Sequence, residues 1–115
     1  MNLESDVKAT APQPAALSMD LMRTATNEAS ATLRALANPD RMLLLCQLSQ
    51  GEKSVGELEA LVGVRQPTLS QQLGVLRNEA LVDTRREGKQ IYYSVRDEKV
   101  LALLNCLYEL YCPKD

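Results

Sequence analysis

From Ser18 onward the apolar positions of the chain fall at helical intervals. Leu21, Ala25, Ala29, Leu33 and Leu36 recur at spacings of three and four, which puts one stripe on a helix ending near Ala37. Asn38-Pro39 closes that helix and opens the next, because Asn caps well and Pro at a first helical position forgoes an N–H that had no partner. The second helix is expected from Pro39 to about Ser49, with Gly51 as its stop. Ser54-Val-Gly-Glu57 has capping-box spacing and opens a short helix through Leu58, Leu61 and Val62, which Gly63 ends. Residues 66–79 read as a fourth helix, with Pro67 at its first position and Leu69, Leu73 and Leu76 on one face. Two helices joined by about three residues have helix-turn-helix spacing.

Past that unit the period changes. Val82, Thr84 and Arg86 alternate against Ile91, Tyr93 and Val95 across Glu87-Gly88-Lys89, which predicts a hairpin. Asp97 is placed to cap a last helix whose stripe of Val100, Leu104, Leu107 and Tyr111 is widened by Leu101, Leu103 and Leu110, before Pro113. So apolar a helix near a chain end wants a partner, and Leu33, Leu104 and Leu107 are expected to meet a second subunit. The architecture is therefore mainly α (α+β): five helices with a β-hairpin, as one domain over residues 17–113. Residues 1–16 are polar, hold Pro12 and Pro14 and show no period, so a disordered arm is expected there.

At 115 residues the chain is one domain's worth, a size at which helical subunits often complete their core by pairing. Phe and Trp are absent, so the core must be aliphatic. No apolar run approaches the roughly 18 residues of a membrane span, and Met-Asn-Leu-Glu-Ser-Asp is not a basic segment leading into an apolar one. A cytoplasmic protein is expected, and its three cysteines are then thiols by default. Catalysis of thiol exchange would want Cys-x-x-Cys beside a βαβ unit, and neither is present. No enzyme activity, catalytic residue or cofactor is expected.

The net charge of −2 hides a distribution. Residues 64–96 carry six basic and three acidic side chains, a positive middle between two acidic flanks and the kind of footprint nucleic acid requires. At 100° per residue, the leucines of the 66–79 helix leave Thr68, Ser70, Gln71, Gly74 and Asn78 on the other faces. A solvated helix face normally shows Glu and Lys pairs, whereas hydroxyls and amides are what approach base edges in a major groove. Gly74 inside a helix costs about 1 kcal/mol relative to Ala, which close approach of another surface would explain. Arg65, Arg77, Arg85, Arg86 and Lys89 flank the helix or lie in the hairpin, as phosphate partners would. The polar positions Gln66, Thr68, Ser70, Gln71 and Gln72 complete the candidate DNA-binding set.

Ala35-Leu-Ala-Asn-Pro-Asp-Arg41, Gln66-Pro-Thr-Leu-Ser-Gln-Gln-Leu73 and the run from Leu76 to Val82, in this order of elements, resemble the ArsR family of winged-helix repressors over residues 18–112. The resemblance implies a homodimer built from the first and last helices, each subunit placing its 66–79 helix in successive major grooves of a palindromic double-stranded DNA operator. Gln71 and Gln72 stand where the family often has His, Gly74 where it often has a basic residue, and Ala80 where it has a helix-ending Gly. The usual metal sites are missing: Ser54-Val-Gly56 replaces Cys-x-Cys, and there is no His. A site of Cys46, Cys106 and Cys112 for a soft metal or arsenical remains an alternative, although Cys106 and Cys112 are about 120° apart on a helix. Cys46 and Cys112 resemble the dithiol of the family's sulfide- and persulfide-sensing members. That implies redox sensing without a metal, with sulfide, persulfide or another thiol oxidant as signal. Cys46 by itself, in Leu-Leu-Leu-Cys, reads first as a buried small residue, and the resemblance is what turns it toward sensing; Cys106 is assigned to packing.

Overall fold

The structure, a computed structural model, describes residues 18–113. The element order is α1 (Met19–Leu36), α2 (Pro39–Leu48), β1 (Lys53–Ser54), α3 (Val55–Val62), α4 (Thr68–Asn78), β2 (Val82–Glu87), β3 (Gln90–Val95) and α5 (Glu98–Tyr111). Among the described residues, five helices accompany a three-stranded antiparallel sheet of order β1-β3-β2. The chain divides between Ser30 and Ala31 into two units. The first, among described residues, is the opening part of α1, begun by a hydrogen bond from the Leu21 amide to Ser18 Oγ. The second holds everything else, including the core. The expected arm at residues 1–16 lies outside the described residues. Among the described residues, no helix is long and apolar enough to cross a membrane.

The local signals in the sequence set the helix starts. Asn38 caps α2 by accepting from the Arg41 amide at 3.1 Å, with Pro39 inside the first turn. Ser54 and Glu57 form the reciprocal capping box of α3, and Gly63 ends that helix at a φ of 73°. α4 begins one residue later than the spacing predicts: Pro67 is its N-cap, following a cis Gln66–Pro67 bond, and Thr68 is its first residue. The fixed ring of proline suits either position, so sequence alone does not separate them. α4 ends in a pair of bonds, Leu81 N to Leu76 O at 2.9 Å and Ala80 N to Arg77 O at 3.0 Å. Glycine normally occupies the residue that closes such a pair; here Ala80 does so, at a φ of 61°.

The strands pair Val82 with Val95, Thr84 with Tyr93 and Arg86 with Ile91, the alternation that the sequence shows. Glu87 pairs with Gln90, so the turn has two residues, Gly88 and Lys89, rather than three, with Gly88 at a φ of 63°. The third strand is an addition to the predicted hairpin. β1, opposite Tyr92 and Tyr93, is two residues long and too short to display a period.

One aliphatic cluster joins Leu36, Leu44, Leu45, Leu48, Leu58, Leu69, Leu73, Leu76, Val82, Val100 and Leu104. Leu104 is only 3% exposed within the single subunit, so it belongs to the subunit's own core, contrary to the expectation that it meets a partner. Leu33, Leu101, Tyr108, Leu110 and Tyr111 are exposed, as are Met19, Leu21, Met22, Leu43 and Leu61 elsewhere among the described residues. Cys106 is exposed too, so it does not pack in this core.

Candidate nucleic-acid interface and thiol pair

The buried stripe Leu69, Leu73 and Leu76 fixes which way α4 turns its polar side. Ser70, Gln71, Arg77 and Asn78 are exposed, as is Arg65 just before the helix; Thr68 and Gly74 are half-buried. Space is open around Gly74: a Cβ there would meet no atom within 4 Å, so nothing within the subunit requires the glycine. Pro67 offers no side-chain cap, and Gln66 supplies one in its place. Its Oε1 accepts from the Ser70 amide at 3.2 Å and from Ser70 Oγ at 2.6 Å. Gln72 is half-buried, and its Oε1 accepts from Arg41 Nη1 at 2.9 Å. Gln71 therefore projects outward while Gln72 beside it is held by another helix.

The hairpin splits its cations similarly. Lys89 is exposed at the turn, and exposed Arg86 donates from Nε to the Gly88 carbonyl at 3.2 Å. Arg85 donates to Glu52 and Glu87 and lies over the Tyr92 ring. Spacing gave no sign of Glu52, Tyr92 or Arg41 as members of this surface. The one available signal is that Arg41 occupies the first turn of α2, where the helix dipole disfavours a cation.

Cys46 on α2 is exposed while Leu44 and Leu45 beside it are buried, so it is not a core residue. Cys112 caps α5. Partial burial pushes the Cys46 thiol up, and the nearby Cys112 pushes it further, since two thiolates repel. Cys112 thus lies near enough to Cys46 to bear on the ionisation of the Cys46 thiol. Cys46 also lines a groove of about 490 Å³ with Ser49, Gln50, Leu101, Leu104, Asn105 and Tyr108. Among the described residues, no cluster of three or more His, Cys, Asp or Glu side chains could hold a metal ion.

This order of helices, turn and wing has known counterparts. The pattern of the family described as bacterial regulatory protein, arsR family, matches residues 38–84. The biofilm growth-associated repressor of Agrobacterium fabrum is 53% identical over 91 residues, spanning 79% of this chain and 78% of that protein. The chain belongs to the ArsR family. Its ArsR-family fold superposes on the transcriptional repressor BigR from Xylella fastidiosa with a TM-score of 0.78 at 46% identity, over 85% of this chain and all of that one. A homodimeric winged helix-turn-helix DNA-binding domain from Mycobacterium bovis, a possible ArsR-family regulator, matches with a TM-score of 0.69 at 31% identity, over 79% and 84% of the two chains. ArsR-family membership puts the chain among DNA-binding transcriptional regulators rather than enzymes.

Proposed function

We propose that this protein is a cytoplasmic repressor that binds a palindromic operator as a homodimer when reduced and releases it when Cys46 and Cys112 become linked. The relatives that are repressors, and the one that is a homodimer, support the first half of that reading. The apolar surface left open on α5 and at Leu33 is what such a dimer would cover. On each subunit Ser70 and Gln71 would meet bases, with Arg65, Arg77, Arg86 and Lys89 on phosphates. Dimers of this kind present their reading helices about 34 Å apart, one turn of DNA.

What supports the sensing half is the placement of exposed Cys46 on α2 and exposed Cys112 at the end of α5, near enough for Cys112 to raise the Cys46 thiol. One thiol takes the outer sulfur of a persulfide, RSSH, and releases RSH. The second thiol then displaces that sulfur as hydrogen sulfide and closes a disulfide, so two thiols are oxidised and one persulfide is reduced. The new bond ties α5 to α2. If α5 is dimer surface while α2 packs against α4, the tie repositions the two reading helices. A coupling of about 1 to 3 kcal/mol, or 5- to 150-fold in affinity, is typical of such devices.

Polysulfide titration of operator complexes tests the proposal. Cys46→Ser and Cys112→Ser should bind like reduced wild type and fail to release, whereas Cys106→Ser should respond normally. Release by the Cys112 variant, or a response lost only with Cys106, would refute the pairing. A metal or arsenical bound by all three thiols would then be the reading to pursue.

A further inference from the structure

We infer that Arg41 is a positioning residue for DNA reading: its guanidinium fastens the last turn of α1 to Gln72 and so sets the angle at which α4 is presented. This inference rests on α4 being the DNA-facing helix, and its test is arranged to separate the two.

Arg41 stands third in α2, where a helix dipole favours an acid, as Asp40 before it does. Its side chain does not serve its own helix. Nε donates to the Ala35 carbonyl at 2.7 Å and Nη2 to the Arg34 carbonyl at 3.2 Å, both at the C-terminal end of α1. Carbonyls there lack regular i+4 partners, Arg34 O taking only a long bond from the Ala37 amide at 3.3 Å, and a cation is favoured. The remaining arm, Nη1, reaches Gln72 Oε1 at 2.9 Å, thirty-one positions along the chain. One rigid planar group thus holds two helix-end carbonyls and one side chain of α4. The fork of donors is fixed within the guanidinium, so moving either anchor strains or breaks the other bonds.

What Gln72 holds decides what it can read. With one lone pair of Oε1 engaged by Arg41 and the residue half-buried, Gln72 cannot swing to the paired contact with adenine that exposed Gln71 can make without giving up the guanidinium. The two adjacent glutamines therefore divide the work: Gln71 faces outward and Gln72 faces the strut. The leucines of α4 fix which side of the helix faces the core and leave the finer rotation about its axis to a directional contact. A directional bond to Arg41 fixes that rotation, and it makes the end of α1 the reference against which α4 is aimed.

The test uses an operator duplex selected from random-sequence DNA and a scrambled duplex of equal length, at one salt concentration, with the protein reduced. Ser70→Ala and Gln71→Ala come first. If they weaken both duplexes alike, α4 is not the reading helix, and the strut proposal falls with that reading. If they act on the operator alone, the strut is judged by a mutant cycle. Arg41→Ala and Gln72→Ala should each lower operator affinity about tenfold and leave scrambled DNA unchanged, and the double variant should lose no more than the worse single one. Gln72→Glu keeps an acceptor for the guanidinium and should preserve the ratio of operator to scrambled affinity, although DNA would repel the same side chain if it read a base. Additive losses, or a ratio lost as fully with Glu as with Ala, would overturn the proposal. Should Arg41→Ala fail to fold, the Gln72 pair decides the question alone.

Discussion

The Arg85 guanidinium holds Glu52 through hydrogen bonds of 3.0 and 2.8 Å while its carbon lies 4.7 Å from the centroid of the Tyr92 ring directly across the hairpin. Glu87 takes a third bond at 3.1 Å. A cation between two carboxylates has little field left for a phosphate, so Arg85 is better understood as pinning the wing to the segment before β1. Arg85→Ala should leave the slope of log affinity against log salt almost unchanged. Lys89→Ala should reduce it by about 0.9, one phosphate's worth. Filter binding on scrambled DNA at several salt concentrations measures both slopes, and a larger change for Arg85 would return it to the phosphate set.

The same pair gives the wing a pH dependence. The hydrogen bond from Arg85 holds the Glu52 carboxyl below its ordinary value, with the charge of Arg85 adding to it. A group whose folded pKa is lowered contributes stability above its unfolded pKa, about 4.3 for glutamate, and loses it as pH falls through the folded value. The Tyr92 ring resonances should stay constant from neutral pH to about pH 5 and move only in more acid solution. Glu52→Gln should abolish that movement.

Ala80 carries a left-handed φ that costs a residue with a Cβ about 1 kcal/mol or more. Glycine escapes that cost but loses more freedom on folding, so Ala80→Gly should stabilise the protein by about 0.5 to 1 kcal/mol and raise Tm by about 2 to 5 °C. Calorimetry at fixed protein concentration checks the direction. A lower Tm would mean that the Ala80 methyl group makes a compensating contact.

Leu110 is 71% exposed on α5, so a charge there costs an isolated subunit nothing. In a dimer seam the same charge would be desolvated without a partner. Leu110→Lys should therefore fold normally yet sediment as a monomer at micromolar concentration and lose the palindrome. A variant that remains fully dimeric would place the interface away from α5.

Much of this was legible from the chain because the signals were local. Asn38-Pro39, Ser54 with Glu57, and Gly63 each act within one helical turn, and all three cap as their spacing implies. The leucine stripe of α4 was equally plain. Periodicity could not say whose core a stripe enters: Leu104 and Leu110 lie on the same short helix, one in the subunit's interior and one outside it. Nor could it tell Gln71 from Gln72, because the difference is made by Arg41, which is distant in sequence. Periodicity could not link Cys46 with Cys112 either: they lie on different helices, and in the sequence only the resemblance to the family's dithiol joined them.

The absence of Phe and Trp from the core has an optical consequence. All four tyrosines lie outside the buried class, Tyr92 and Tyr93 in the wing and Tyr108 and Tyr111 on α5. Near-ultraviolet emission from this protein therefore comes from the wing and the last helix, with no contribution from the aliphatic interior. A fluorimeter would follow the hairpin against DNA or a bond formed at Cys112 without any added label. It would read the melting of the interior only through what that melting does to these four rings.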